Sequence, residues 1–150
     1  MASYYPISPL FWKDEKVRAW LAAGYDRTII LALYLLTCRH RNLEGLYLLP
    51  WGYAETDLAW EADCVAEQSA RLLDEGFIEY DAASEVVFVR NALKYQSPKS
   101  PTQLKGAINA LLEVPPTPLL GSLSDVAKTH APELRKEIRK AFGTQSKGSR

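Results

Sequence analysis

The sequence predicts an α+β fold, mostly helical, with a small three-stranded sheet. Three observations predict it. Apolar residues recur at helical spacing over 15–39 and again over 53–75. Two β-prone runs, Phe77-Ile78-Glu79-Tyr80 and Val86-Val87-Phe88-Val89, flank a short polar loop at 81–85 and so read as a hairpin. A further β-prone run, Leu46-Tyr47-Leu48-Leu49, stands between the two helical pairs and supplies the partner that a lone hairpin needs in water. The order helix, helix, strand, helix, helix, hairpin is that of a winged helix-turn-helix, here expected over 1–96.

The elements follow in order. Residues 1–12 read as an extended lead-in, because Pro6 and Pro9 oppose a helix, with Phe11 and Trp12 as anchors on the core. Asp14 caps a helix over 15–23 that Gly24 ends. Asp26 caps the next, over 27–39, which is apolar nearly all round and therefore central. Asn42-x-x-Gly45 turns the chain into the strand run that Pro50 closes. Helices are expected over 53–60 and 62–75, the second with Val65, Ser69, Leu72 and Leu73 inward and Gly76 as its stop.

A helical extension is expected over 97–142. Ser100-Pro101-Thr102-Gln103 combines a capping box with proline at the first helical position and opens a helix over 101–113. Leu104, Ile108, Leu111 and Leu112 share one of its faces. Val114-Pro115-Pro116-Thr117-Pro118 must be extended. Ser122-Leu123-Ser124-Asp125 opens a short helix, 123–129, and Pro132 a last one, 133–142, with Leu134, Ile138 and Phe142 spaced by four. Residues 143–150 read as a disordered tail.

Composition excludes several functions. With 47% apolar residues in 150, the chain has material for one core. The longest apolar run, 29–36, falls short of the roughly 18 residues of a membrane span. The first residues lack a basic n-region and an apolar h-region, so a cytoplasmic location is expected. Cys38 and Cys64 form no C-x-x-C pair, and His40 and His130 have no metal-ligand spacing. Neither G-x-x-x-x-G-K-[ST] nor G-x-S-x-G occurs. No catalytic, cofactor-binding or metal-binding residues are therefore expected, and the chain reads as a binding protein rather than an enzyme.

Charge carries the functional signal. Residues 1–89 hold 7 Lys/Arg and 14 Asp/Glu, a net of −7, whereas residues 90–150 hold 11 and 4, a net of +7. A helix-turn-helix presents its second helix to the major groove. Here that helix carries Glu61, Asp63, Glu67, Asp74 and Glu75 against Arg71, and phosphate repels such a face. Gln68 and Arg71 are its candidates for DNA contact. Arg90, Lys94, Lys99 and Lys105, with Tyr95 and Gln96 interleaved, are the candidates beside the wing, and Arg39 and Arg41 form a second cluster. Arg135, Lys136, Arg139 and Lys140 form a third, read as a solvated helix face. Arg90 to Lys105 on one face with Arg39 and Arg41 would favour DNA. Basic helices folded onto the acidic helix would favour self-neutralisation or a partner.

Several strings resemble a known family. Tyr5-Pro6-Ile7-Ser8-Pro9-Leu10-Phe11-Trp12-Lys13-Asp14 is similar to the opening of prophage replisome-organiser proteins, whose N-terminal winged helix is similar to that of DnaD-type primosome proteins. The likeness continues through Leu33-Tyr34-Leu35-Leu36-Thr37, Asn42-Leu43-Glu44-Gly45-Leu46-Tyr47 and Leu72-Leu73-Asp74-Glu75-Gly76-Phe77-Ile78-Glu79-Tyr80-Asp81. It closes with Val86-Val87-Phe88-Val89-Arg90-Asn91-Ala92-Leu93-Lys94-Tyr95 and Val114-Pro115-Pro116-Thr117-Pro118-Leu119, and so covers roughly 5–120. The resemblance implies an accessory protein of phage or prophage replication initiation that binds double-stranded origin DNA and recruits a host helicase-loading or primosome protein. A winged-helix interaction or homodimerisation module and a prophage transcription regulator are the alternatives.

Overall fold

Four consecutive apolar residues, Val86–Val89, leave a strand no face for water, so both faces must be covered. That strand, β3, is the centre of the sheet. The computed structural model of the chain describes residues 5–143. Its fold is α+β and mostly helical. The strands β1 (Leu46–Leu48), β2 (Ile78–Asp81) and β3 form an antiparallel sheet of order β1-β3-β2. Tyr47 and Tyr80 both face Val87, and Leu46 and Glu79 both face Phe88.

One side of the sheet carries Tyr47, Ile78, Val87 and Val89 into a core with α1 (Glu15–Ala23), α2 (Asp26–Thr37), α3 (Trp51–Leu58) and α4 (Ala62–Asp74). Asp14 caps α1 by accepting from the backbone N–H groups of Lys16 and Val17, and Gly24 ends it at φ +78°. Leu31, Ala32, Leu35 and Leu36 of α2 are buried, as its nearly uniform apolar sequence requires.

The other side carries Leu46, Val86 and Phe88 into a second core. It is covered by α5 (Ala92–Tyr95), α6 (Pro101–Leu112), α7 (Leu119–His130) and α8 (Pro132–Phe142). Leu93, Leu111, Leu123, Leu134 and Ile138 fill it, and α7 packs on all three strands. The helices after residue 97 thus cover a face of the sheet. Ser100 and Gln103 complete the capping box of α6.

Several boundaries differ from expectation. Within the lead-in, Pro9–Lys13 forms a 3₁₀ turn, because Ser8 accepts from the Leu10 N–H and proline suits the first position. Phe11 is fully buried, but Trp12 points outward and stacks edge-on against it at 5.0 Å. Asp26 is the first residue of α2, and Tyr25 occupies the cap position with no side-chain bond. α3 starts at Trp51, directly after Pro50. Leu73 and Leu112 face outward. α7 begins at Leu119 rather than 123, since Pro118 already has helical dihedrals, and the Ser122 hydroxyl bonds the Glu79 carboxylate instead of capping. The short helix α5 was not expected. The tail expected over 143–150 lies, from 144 onward, outside the described residues, as do residues 1–4.

The turn into β1 is the tightest point. The Asn42 side-chain oxygen accepts from the N–H groups of Gly45 and Leu46. Gly45 sits at φ +82°, and a Cβ there would lie 2.5 Å from the Ala92 Cβ and 3.1 Å from the Val89 carbonyl oxygen. Gly45→Ala therefore meets both backbone strain and a collision at the sheet edge. We expect it to destabilise the fold by about 3 kcal/mol in urea titration, whereas Gly52→Ala, on α3 with open space around it, should stabilise by up to about 1 kcal/mol.

Candidate nucleic-acid interface

Three of the expected contact residues turn inward. Arg41 is 6% exposed. It follows α2, whose last carbonyls have no helical partner, and its guanidinium supplies one to Leu36. It donates to the carbonyls of Leu36, Asn42 and Leu43 and lies 4.6 Å over the Tyr5 ring. Gln68 is also 6% exposed and accepts from the Thr28 hydroxyl at 2.6 Å. Arg71 donates to Thr28 Oγ1 at 2.8 Å and to Gln68 Oε1 at 3.2 Å, with its guanidinium 3.9 Å from the Tyr25 ring centroid. These two polar side chains of α4, Gln68 buried and Arg71 half-buried, close its seam with α2, so both candidates for DNA contact are engaged within the chain.

Arg39 is exposed but tied to Asp57, which gathers Tyr34, Arg39 and His40. The Tyr34 hydroxyl bond above all, then Arg39 and His40, hold the Asp57 carboxyl below the usual carboxylate range. The cluster joins the end of α2 to α3. Arg90 pairs with Glu79, whose other oxygen accepts from Ser122. It therefore links the hairpin toward α7, with its side chain still 42% exposed. Tyr95 is half-buried and donates to Asp14, so it is not a free stacking platform.

The remaining candidates stay outside. Lys94, Lys99 and Lys105 are exposed and have no ion-pair partner among the described residues. On α8, Arg139 is likewise exposed and unpaired, whereas Lys136 and Lys140 reach Glu133 and Glu137 at 3.5 Å. Lys105 and Lys140 line one groove between α6 and α8. The acidic residues of α4 are exposed on the opposite side of the sheet: α4 packs on α2, α3 and β2, while α6 and α8 belong to the second core. The basic helices do not fold onto the acidic one. Arg41, being buried, cannot share a face with the lysines.

Glu44 is the site residue that sequence reasoning missed. It lies in the loop beside Arg41, is fully buried, and neither carboxyl oxygen meets a partner at hydrogen-bond geometry among the described residues. Burial pushes its carboxyl up to about 8, against the opposing pull of its own backbone N–H and the Arg41 guanidinium. Only its place inside the Asn42–Gly45 turn hinted at this.

No family model, no curated protein and no solved structure matches the chain.

Glu44 makes stability depend on pH. Its carboxyl is raised in the fold, so the native state keeps a proton that the unfolded chain loses above 4.5. The associated stability is complete below that value and is lost as pH rises through about 8. Thermal melts should show Tm falling between about pH 5 and about pH 8, and Glu44→Gln should flatten that slope. An unchanged slope in the variant would assign the pH dependence to another group.

Proposed function

We propose that this chain is a DNA-binding accessory protein of replication initiation, of the phage or prophage type, working in the cytoplasm. The observation that carries the reading is that Lys94, Lys99, Lys105 and Arg139 are exposed and have no ion-pair partner among the described residues. They lie after the hairpin, on α5, α6, α8 and the segment joining α5 to α6, none of which folds onto α4. Such groups are available to phosphate oxygens, and phosphate neutralisation supplies most sequence-independent affinity. The order of helices and hairpin, with β1 completing the sheet, supports a winged helix-turn-helix assignment. The family resemblance supplies origin DNA and a host helicase-loading or primosome protein as partners.

In this reading α4 does not read bases. Its Gln68 and Arg71 hold α2, and its outer face is acidic. DNA contact is then a matter of backbone charge from the α5–α6 segment and α8, with little discrimination between sequences. The outward carboxylates Glu61, Asp63, Glu67 and Asp74 favour a second reading, a winged-helix protein-interaction module. A transcription regulator needs base readout and finds less support for that reason.

Fluorescence anisotropy across a salt series tests the proposal. The purified chain should bind duplex DNA with log affinity falling linearly in log salt, by about 0.9 for each phosphate neutralised. Changing Lys94, Lys99 and Lys105 together to Ala should flatten that slope by about 3. Absence of binding at low salt would overturn the DNA reading in favour of the interaction module.

A further inference from the structure

The groove between α6 and α8 has a cavity volume of about 610 Å³. Leu104, Ile108 and Ala141 give it an apolar lining, and Lys105, Lys140 and Glu137 supply its charge. Glu137 holds Lys140, but Lys105 has no ion-pair partner among the described residues. An apolar lining with an unpaired cation suits a segment that is apolar along one line and acidic along the next.

The chain itself carries such a segment. On α4, Ala62, Ala66, Ala70 and Leu73 are exposed at helical spacing and form one row. Asp63, Glu67 and Asp74, also exposed, form the adjacent row. None of these carboxylates has an ion-pair partner among the described residues. The three alanines allow a neighbouring helix to approach closely, and the acidic row lies where a lysine beside the groove can meet it.

We propose that the α6–α8 groove is the docking site for α4 of a second copy of this chain. The two surfaces lie on opposite sides of the sheet, so one molecule cannot join its own. They also differ from each other, so the contact is heterologous and copies associate head to tail, as a ring or an open chain. The inference stands apart from the DNA reading, because it concerns the protein with no nucleic acid present.

Sedimentation velocity of the full chain tests it. The wild type should self-associate as concentration rises, and the association should weaken roughly tenfold or more from low to high salt. Ala66→Tyr blocks the α4 row and Lys105→Glu sets a like charge against the acidic row. Both positions are exposed, and circular dichroism should give native melts for both variants. Each variant alone should be monomeric. Their equimolar mixture should form a one-to-one dimer that goes no further, because one intact α4 meets one intact groove. A wild type that stays monomeric at low salt overturns the proposal. So does a closed symmetric dimer that persists in either variant. If Lys105→Glu abolishes DNA binding but leaves self-association unchanged, the groove belongs to nucleic acid and the proposal falls.

Discussion

A strand of four buried apolar residues at the middle of a sheet sets the plan of this molecule. Val87 and Val89 point into one core and Val86 and Phe88 into the other. Neither layer of helices is optional for such a strand, since removing either would return large apolar side chains to water at roughly 1.5–3 kcal/mol each. The sheet then acts as a partition. Of the helices on one side of it α3 and α4 are acidic, and of those on the other α6 and α8 are basic, while Arg90 and Glu79 meet at the hairpin.

The polar residues of α4 are governed by the same priority. Thr28 is fully buried in the middle of the α2–α4 seam, and a buried hydroxyl needs a partner. Gln68 supplies the acceptor, and Arg71 satisfies both while resting on Tyr25. A helix whose inner polar groups are used in this way presents to the outside what remains, which is alanine and carboxylate.

Much of the fold was legible because local chemistry and tertiary packing agree. The Asp14 cap, the Ser100–Gln103 capping box, the glycine stops at 24 and 76 and the apolar run of β3 are each visible in a few residues. Gln68 was legible in principle: Val65, Gln68, Ser69 and Leu72 share one helix face, so its spacing placed it inward although its polarity argued outward. Arg41 had no such periodicity. Its guanidinium curls back onto the carbonyl of Leu36 near the end of α2 and those of Asn42 and Leu43 in the loop after it, a local wrap that residue type and spacing do not signal. The start of α7 was hidden by the proline run, whose last member adopts helical dihedrals. Glu44 was illegible for another reason: a carboxylate between a leucine and a glycine looks like a solvated turn, and only the folded chain shows it fully buried. The exposed lysines were the easiest to place, since nothing in the chain competes for them.

The sharing of β3 by two cores also shapes how the molecule comes apart. Two cores on two separate sheets would melt as two units, each with its own transition. Here Leu46, Val86 and Phe88, which face one core, and Tyr47, Val87 and Val89, which face the other, belong to a single sheet. Opening either layer weakens the strand that the other layer rests on. Hydrogen exchange in β3 is therefore tied to global unfolding, and a defect in α5–α8 is transmitted to α1–α4 through the sheet they hold in common.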